Sequence, residues 1–307
     1  MRLVIITGQS PHHKNLCVEL ARTQNVVGII HPAERKPGQG KFRKLRLQVR
    51  RNGIPLMLLR MLKNFPAGAG NGSGQSDSRQ VVVPDFRRAE QDYKSLPEKL
   101  IHASCDVQSP ETHALLRSLL PDVAICLGGP VYPKAFIDAC PLMLNFHSGL
   151  SPFYNGASSI YFAYANGHIQ LCGGTMMVIN TGVDSGGIMG HFLPAIQPGD
   201  SPETLFRKTV AGAPGMYDRL LNHLGQGMKP PNPIPQPRPL FYARGFDFGW
   251  HHKAMVAIRQ KEDLAARFQR SEKAVEYWKE PDAASAFHLY KETIDTLLRG
   301  AASGEGA

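Results

Sequence analysis

Leu142-Met-Leu-Asn-Phe-His-Ser-Gly-Leu-Ser-Pro-Phe-Tyr-Asn-Gly156 opens with an apolar run, Leu142 to Phe146, and closes in turn-forming residues. A run this short, bounded by turn signals, reads as a strand buried on both faces, the kind found in a parallel sheet. Asn145 and His147 are two apart on that strand and therefore project to the same side. They stand toward its carboxyl end, where open α/β sheets bind their ligands.

Working outward, the same signature recurs. Val123 to Leu127 is a buried strand ending in Gly128-Gly129-Pro130, and Pro133 to Ala139 reads as helix. Leu3 to Thr7 ends in Gly8, Lys14 to Ala21 is a plausible helix, and Val26 to Ile30 is a further strand. This βαβ rhythm predicts parallel strands joined by right-handed crossovers. Ser109-Pro110-Glu111 and Ser201-Pro202-Glu203 each place a cap, a proline and an acid at a helix start. They predict helices to about Leu120 and about Leu224. Helix is also expected over Ser158–Asn166, and strands over Gly174–Ile179 and Ile188–Phe192. Weaker strand signals sit at Val81–Val83 and Cys105–Val107.

Between residues 36 and 63 the rhythm is interrupted by nine basic residues and no acid, which reads as a basic insertion with broken amphipathic helices. Ala67 to Ser78 is a glycine- and serine-rich flexible loop. It is not a phosphate loop, because no strand precedes it and no Gly-Lys-Ser or Gly-Lys-Thr follows. Pro230 to Pro239 carries six prolines and must be extended. Beyond it, five aromatics between Phe241 and Trp250 suit a docking core for the last segment, with helices over Lys253–Phe268 and Ser285–Leu298 and a frayed tail from Gly300. The expected architecture is α/β: a Rossmann-like, mainly parallel sheet with helices on both faces, plus a smaller, mainly helical C-terminal segment. The expected division is a catalytic domain over 1–225 with a basic, partly flexible insertion at 36–80, a proline-rich linker at 226–240, and a helical extension at 241–307.

Composition excludes several classes. Hydrophobic residues are 42% and charged residues 20% of the chain, as in ordinary globular domains. No stretch approaches the roughly 20 apolar residues of a membrane span, and the start does not resemble a secretory signal, so a cytoplasmic protein is expected. The five cysteines, an odd number with no CxxC pair, point to reduced thiols and to no metal site. The adjacent pairs His12-His13 and His251-His252 diverge on any regular backbone and are not expected to bind metal. The net charge of +10 favours an anionic partner.

The chemistry gathers at three residues. Asn180-Thr-Gly-Val-Asp-Ser-Gly-Gly187 is a glycine-rich loop between two strands, and its lone acid, Asp184, can swing onto the site of Asn145 and His147. An amide, an imidazole and a carboxylate suit acyl transfer to nitrogen. Asn145 can donate to an oxyanion. His147 can donate to the same intermediate and pass protons. Asp184 can orient His147 or accept the amine proton. No nucleophilic Ser or Cys is needed. Taken singly, each residue is more often a turn or structural residue than a catalytic one, and spacing alone does not overturn that.

Asn145-x-His147 followed by Leu150-Ser-Pro-x-Tyr-x-Gly156, then Gly182-Val-Asp184-x-Gly186, resembles the folate-dependent formyltransferase family. That family includes the methionyl-tRNA and sugar N-formyltransferases. Pro121-Asp-Val-Ala-Ile-Cys-Leu-Gly-Gly129 and Pro198-Gly-Asp-Ser-Pro-Glu-Thr-Leu205 resemble two further family segments. The resemblance covers residues 100–225 closely and 1–35 loosely. Ser151 departs from the usual second Leu, and Gly128-Gly129-Pro130 replaces bulkier residues.

The resemblance implies a one-carbon group transferase with 10-formyltetrahydrofolate as donor and Asn145, His147 and Asp184 as catalytic residues. It implies a pterin held largely by backbone groups between the Leu127–Tyr132 and Asn180–Asp184 loops, with contacts at Leu127, Gly128, Gly129, Val131, Tyr132, Leu150, Asn180, Thr181 and Val183. The acceptor is expected to be a primary amine, anionic or phosphorylated: a nucleotide-linked amino sugar or a small amine of specialised metabolism. Methionyl-tRNA formylation is an alternative, although those enzymes end in a β-rich barrel. Hydrolysis of the donor and a non-catalytic folate-binding module are others, and a homodimer is compatible with the sequence.

Overall fold

The computed structural model describes residues 1–33, 83–227 and 233–302. The basic insertion at 36–80, with its broken helices and glycine-rich loop, lies outside the described residues, as do Val81–Val82, 228–232 of the linker and 303–307 of the tail.

Ten strands are described: β1 (Leu3–Thr7), β2 (Val26–Pro32), β3 (Ile101–Cys105), β4 (Val123–Leu127), β5 (Met143–His147), β6 (Tyr154–Gly156), β7 (Gly174–Val178), β8 (Ile188–Leu193), β9 (Phe241–Ala243) and β10 (Lys273–Glu276). Eight form one sheet in the order β10-β8-β7-β5-β4-β1-β2-β3. From β3 to β5 all neighbours are parallel. From β5 outward through β7 and β8 to β10 they are antiparallel.

Alternation along the parallel strands separates two cores. Leu3, Ile5, Val123 and Ile125 pack with Leu16, Leu20, Met216, Tyr217 and Leu220, from helices Pro11–Thr23 and Ala213–Gly225. Val4, Ile6, Ala124 and Cys126 pack with Leu116 and Phe136, from helices Pro110–Ser118 and Lys134–Ile137. Helices thus cover both faces, as a sheet apolar on both sides requires. Leu144 and Phe146 join the first core, so Asn145 and His147 belong to the opposite face of β5.

Both helix-start signatures form caps. Ser109 Oγ accepts from Thr112 N at 3.2 Å. Ser201 Oγ accepts from Thr204 N at 3.1 Å, with Thr204 Oγ1 accepting from Ser201 N in return.

Differences from the sequence reading have local causes. The single helix expected after Ser201 is two, Pro202–Ala211 and Ala213–Gly225. Pro214 has no N–H to continue the first helix. A Cβ at Gly212 would stand 2.3 Å from the Phe192 ring, so the break also lets the chain approach β8. The strand expected at Cys105–Val107 is Ile101–Cys105, and a helix at Arg87–Lys94 was not foreseen. The C-terminal segment is mainly helical, as expected, but it also carries two short strands. Helices Trp250–Lys261, Leu264–Arg267 and Ala283–Ala302 alternate with β9, which pairs with β6, and with β10, which completes the main sheet. Phe241, tilted, and Phe248, edge-on, both pack against Phe162, each with ring centres 5.1 Å away. The described residues form one compact unit.

His191 on β8 is fully buried beneath this C-terminal segment. Its Nε2 donates to Ser151 O at 2.9 Å, and its Nδ1 lies 2.8 Å from Tyr277 Oη. Burial lowers its pKa to about 4. The unfolded chain takes up the proton near pH 6.5, whereas the folded chain resists until about 4. Stability is therefore intact above about pH 6.5 and is lost as pH falls toward 4. Between pH 7 and pH 5 the loss from this residue is about 2 kcal/mol. Denaturant melts of the wild type and His191→Gln at both pH values check this. The variant is expected to lose less between them, and equal losses would remove His191 as a cause.

Candidate active site

β5 delivers Asn145 and His147 in register, and the antiparallel partner β7 begins beside His147 and ends beside Leu144. The loop to β8 therefore leaves at the wrong end of β5 to reach His147 directly. It doubles back along the strand, and this brings Asp184 in. Asp184 Oδ2 lies 3.3 Å from His147 Nδ1, and Asp184 Oδ1 accepts from Asn145 Nδ2 at 3.3 Å. The structure thus brings the three sequence-predicted catalytic residues into one cluster.

The loop is organised by its own side chains. Asn180 Oδ1 accepts from Gly182 N at 3.0 Å and from Ser185 Oγ at 2.9 Å. Asp184 takes φ 47°, a left-handed conformation that Asp tolerates better than most residues but that still stores strain. Two bonds hold it there: Asn155 Nδ2 donates to Asp184 O at 2.6 Å, and Gly156 N donates to Asp184 Oδ2 at 3.0 Å.

His147 is 6% exposed, and both its ring nitrogens are engaged. Nδ1 faces Asp184. Nε2 faces Tyr154 O at 3.0 Å and Ser159 Oγ at 3.3 Å, and that hydroxyl gives its proton to Gly156 O. A ring protonated on both nitrogens would satisfy every partner. The expected donation from His147 to an oxyanion requires one of these bonds to open, as happens when catalytic contacts tighten around a bound substrate. Gly149 is needed for this packing, since a Cβ there would stand 2.3 Å from His147 Nε2.

Gly186 is needed for the loop: a Cβ would stand 1.6 Å from Val178 O, a backbone atom that cannot turn away. Gly186→Ala is expected to displace the Asp184 loop and to lower stability by about 1–3 kcal/mol. Turnover should fall further than that loss explains. Gly225→Ala, with nothing within 4 Å of the new methyl, is the control. Equal turnover in the two variants would dissociate the loop from the chemistry.

Of the residues expected to hold a pterin, Gly128, Gly129, Val131, Asn180, Thr181 and Val183 are exposed in their two loops. Gly128 and Gly129 both adopt positive φ. Leu127, Tyr132 and Leu150 have buried side chains. Tyr132 packs on Phe136. Asn145 Oδ1 is buried with no hydrogen-bond partner, and one N–H of the same amide remains unspent on Asp184. A buried acceptor without a donor is costly, so this edge suits a polar ligand.

Sequence reading missed Asn155, Gly156, Ser159 and the carbonyl of Tyr154 as parts of the site, although Asn155-Gly156 closes the very motif that carries His147. It also missed Gln236, which no local pattern marks. Among the described residues no group of three or more His, Cys, Asp or Glu side chains is arranged to hold a metal, and no helix is long and apolar enough to cross a membrane.

Residues 68–220 match the formyl transferase family. A methionyl-tRNA formyltransferase of Nitratiruptor is 32% identical over 131 residues, 42% of this chain and 42% of that protein. The chain thus spans under half the length of that curated relative. Among solved structures, a sugar N-formyltransferase from Shewanella superposes with a TM-score of 0.50 and 14% identity, covering 85% of this chain and 87% of that one. A 4-N formyltransferase from Francisella tularensis gives 0.50 and 11%, covering 84% and 87%. At these identities the likeness is one of fold. With Asn145, His147 and Asp184 all inside the matched segment, the chain belongs to the formyl transferase family.

Proposed function

We propose that this protein transfers a formyl group from 10-formyltetrahydrofolate to a primary amine. The observation that carries the reading is the convergence of Asn145, His147 and Asp184 from a strand and a distant loop, with Asn145 Oδ1 left unpaired. The donor supplies a formyl carbon on a nitrogen that departs once protonated. Asn145 directs its remaining amide N–H at the carbonyl oxygen, where negative charge develops. Asp184 accepts the proton that the attacking amine loses, directly or through water. His147, held against Asp184, returns one proton to the departing nitrogen. One C–N bond forms and one breaks, leaving the N-formyl amine and tetrahydrofolate with no net proton change.

For the acceptor we favour an anionic amine, a nucleotide-linked amino sugar or a small amine of specialised metabolism. The excess positive charge supports this. So does the post-linker segment, which supplies β9, β10 and helices to the same compact unit and forms no barrel among the described residues. We further propose that the protein works in the cytoplasm.

Purified protein mixed with 10-formyltetrahydrofolate and a panel of amines, with tetrahydrofolate release and acceptor mass followed together, tests the reading. A gain of one formyl group on an amino sugar nucleotide supports it. Formylation of methionyl-tRNA alone would replace the acceptor. Release of tetrahydrofolate without an acceptor would make the protein a hydrolase, and absence of folate binding would overturn the proposal.

A further inference from the structure

The proline-rich segment after residue 232 does more than connect. Ile234 exchanges two backbone hydrogen bonds with Ile188, at 2.8 and 2.9 Å, at the point where the Asp184 loop enters β8. Pro233 lies against Gly187, where a Cβ would come within 2.6 Å of the proline ring. Between these contacts and β9, Gln236 spans two pieces of the site. Its Nε2 donates to Gly186 O, two residues beyond Asp184, and its Oε1 accepts from Asn155 Nδ2 at 3.3 Å. Asn155 Nδ2 is the same group that holds Asp184 O.

The chain then runs on beside β6. Leu240 N and Phe241 N donate to Pro152 O and Phe153 O, each at 2.9 Å, and Ala157 N donates to Ala243 O at 2.9 Å. A Cβ at Gly156 would stand 2.0 Å from Ala243 O, so β9 sits as close to Gly156 as a backbone can. Gly156 N is the donor to the Asp184 carboxylate.

We propose that Gln236 is a positioning residue for Asp184, so that the proline-rich linker sets the geometry of the catalytic carboxylate. The physical case is one of determinacy. Asp184 is held at a left-handed φ, and the hydrogen bonds to its carbonyl and to its Oδ2 come from Asn155 and Gly156, outside its own loop. Asn155 pins its carbonyl, but an Asn side chain with a single anchor can rotate. Gln236 supplies the second anchor, fixing the Asn155 amide and the Gly186 peptide together. Without it, Asn155 keeps its bond to Asp184 only by holding a rotamer that nothing else selects, and Oδ2 loses its fixed distance from His147. A displacement near 1 Å at a reacting group can cost on the order of 10²-fold in rate. The kinetic consequence rests on the proposed formyl transfer; the structural one does not.

The test uses the full chain. Gln236→Met keeps length and removes the hydrogen bonds to Asn155 and Gly186 O, together with a weak one to Met177 Sδ at 3.7 Å. Formyl transfer is measured in the wild type, in Gln236→Met, in Asp184→Asn and in the double variant. Amide hydrogen exchange is followed alongside in peptides covering 154–157 and 180–187. We expect Gln236→Met to lower kcat by about 10- to 100-fold with little change in KM for the folate donor. In the Asp184→Asn background the same change should have no further effect, because residues acting as a unit are not additive. Exchange should quicken in both peptides while the melting temperature holds. Wild-type kcat and exchange in Gln236→Met would overturn the inference. So would an equal loss in both backgrounds, which marks general destabilisation. If the wild type transfers no formyl group, only the functional reading fails. The exchange pattern then decides the inference by itself: quickened exchange in the two peptides sustains it, and unchanged exchange overturns it.

Discussion

Asp184→Asn is expected to reduce turnover by about 10²- to 10⁴-fold while leaving the fold nearly as stable as before. The substitution is close to isosteric, and Asn accepts a left-handed backbone as readily as Asp, so the φ of 47° is no obstacle. The amide oxygen can still accept from Gly156 N. What is lost is the charge facing His147 Nδ1 and the only carboxylate in the cluster able to take a proton from an attacking amine. His147→Asn and Asn145→Ala should each lower turnover by a comparable factor, through loss of the proton carrier and of the oxyanion donor respectively. The measurement is tetrahydrofolate release and acceptor mass at saturating substrates, beside a thermal melt of each variant. A variant of Asp184 that melts normally and turns over at the wild-type rate would remove that residue from the mechanism.

The central strands were legible because burial on both faces writes itself as a short apolar run, and β4 matches its run residue for residue. The helix starts at Ser109 and Ser201 were legible because a cap is a local device. Period-two alternation was enough to put Asn145 and His147 on one side of β5. The rest depends on contacts that no local pattern encodes. β10 is Lys-Ala-Val-Glu, with one buried residue, Val275, and it is a strand only because the edge of β8 is open beside it. β9 is three residues long and exists through its pairing with β6. That the side chains of Leu127, Tyr132 and Leu150 are buried, with Tyr132 stacked on Phe136, was not legible, because it depends on packing between distant elements. Gln236 lies 52 positions beyond Asp184 (236 − 184), in a segment whose prolines announce only extension, and its partners become neighbours only when β9 docks.

A chain ended after Gly227 is expected not to fold, although it would retain every residue from β1 to β8 and all three proposed catalytic groups. Removing β10 exposes the backbone edge of β8 from Gly190 to Leu193, an open template for aggregation. It also removes Leu264, Val275, Tyr277, Trp278, Tyr290 and Leu297 from the core, each of them buried. At roughly 1.5–3 kcal/mol for each large apolar side chain, that loss is about 10 kcal/mol or more. Whole domains are stable by only about 5–15 kcal/mol. Arg270 disappears as well, leaving the carbonyls of Pro194, Gln170 and Cys172 without their donor. His191 loses Tyr277. Circular dichroism, thermal melting and limited proteolysis of the fragment check the expectation. Cooperative melting near the wild-type temperature would show the segment to be an appendage. Even a fragment rescued by stabilising solutes should stay inactive, because the bonds from Ile234, Gln236 and Ala243 that frame the Asp184 loop and β6 come from beyond the cut. Stability and catalysis would then fail for separable reasons, the first through the lost core and the second through a carboxylate no longer held at His147.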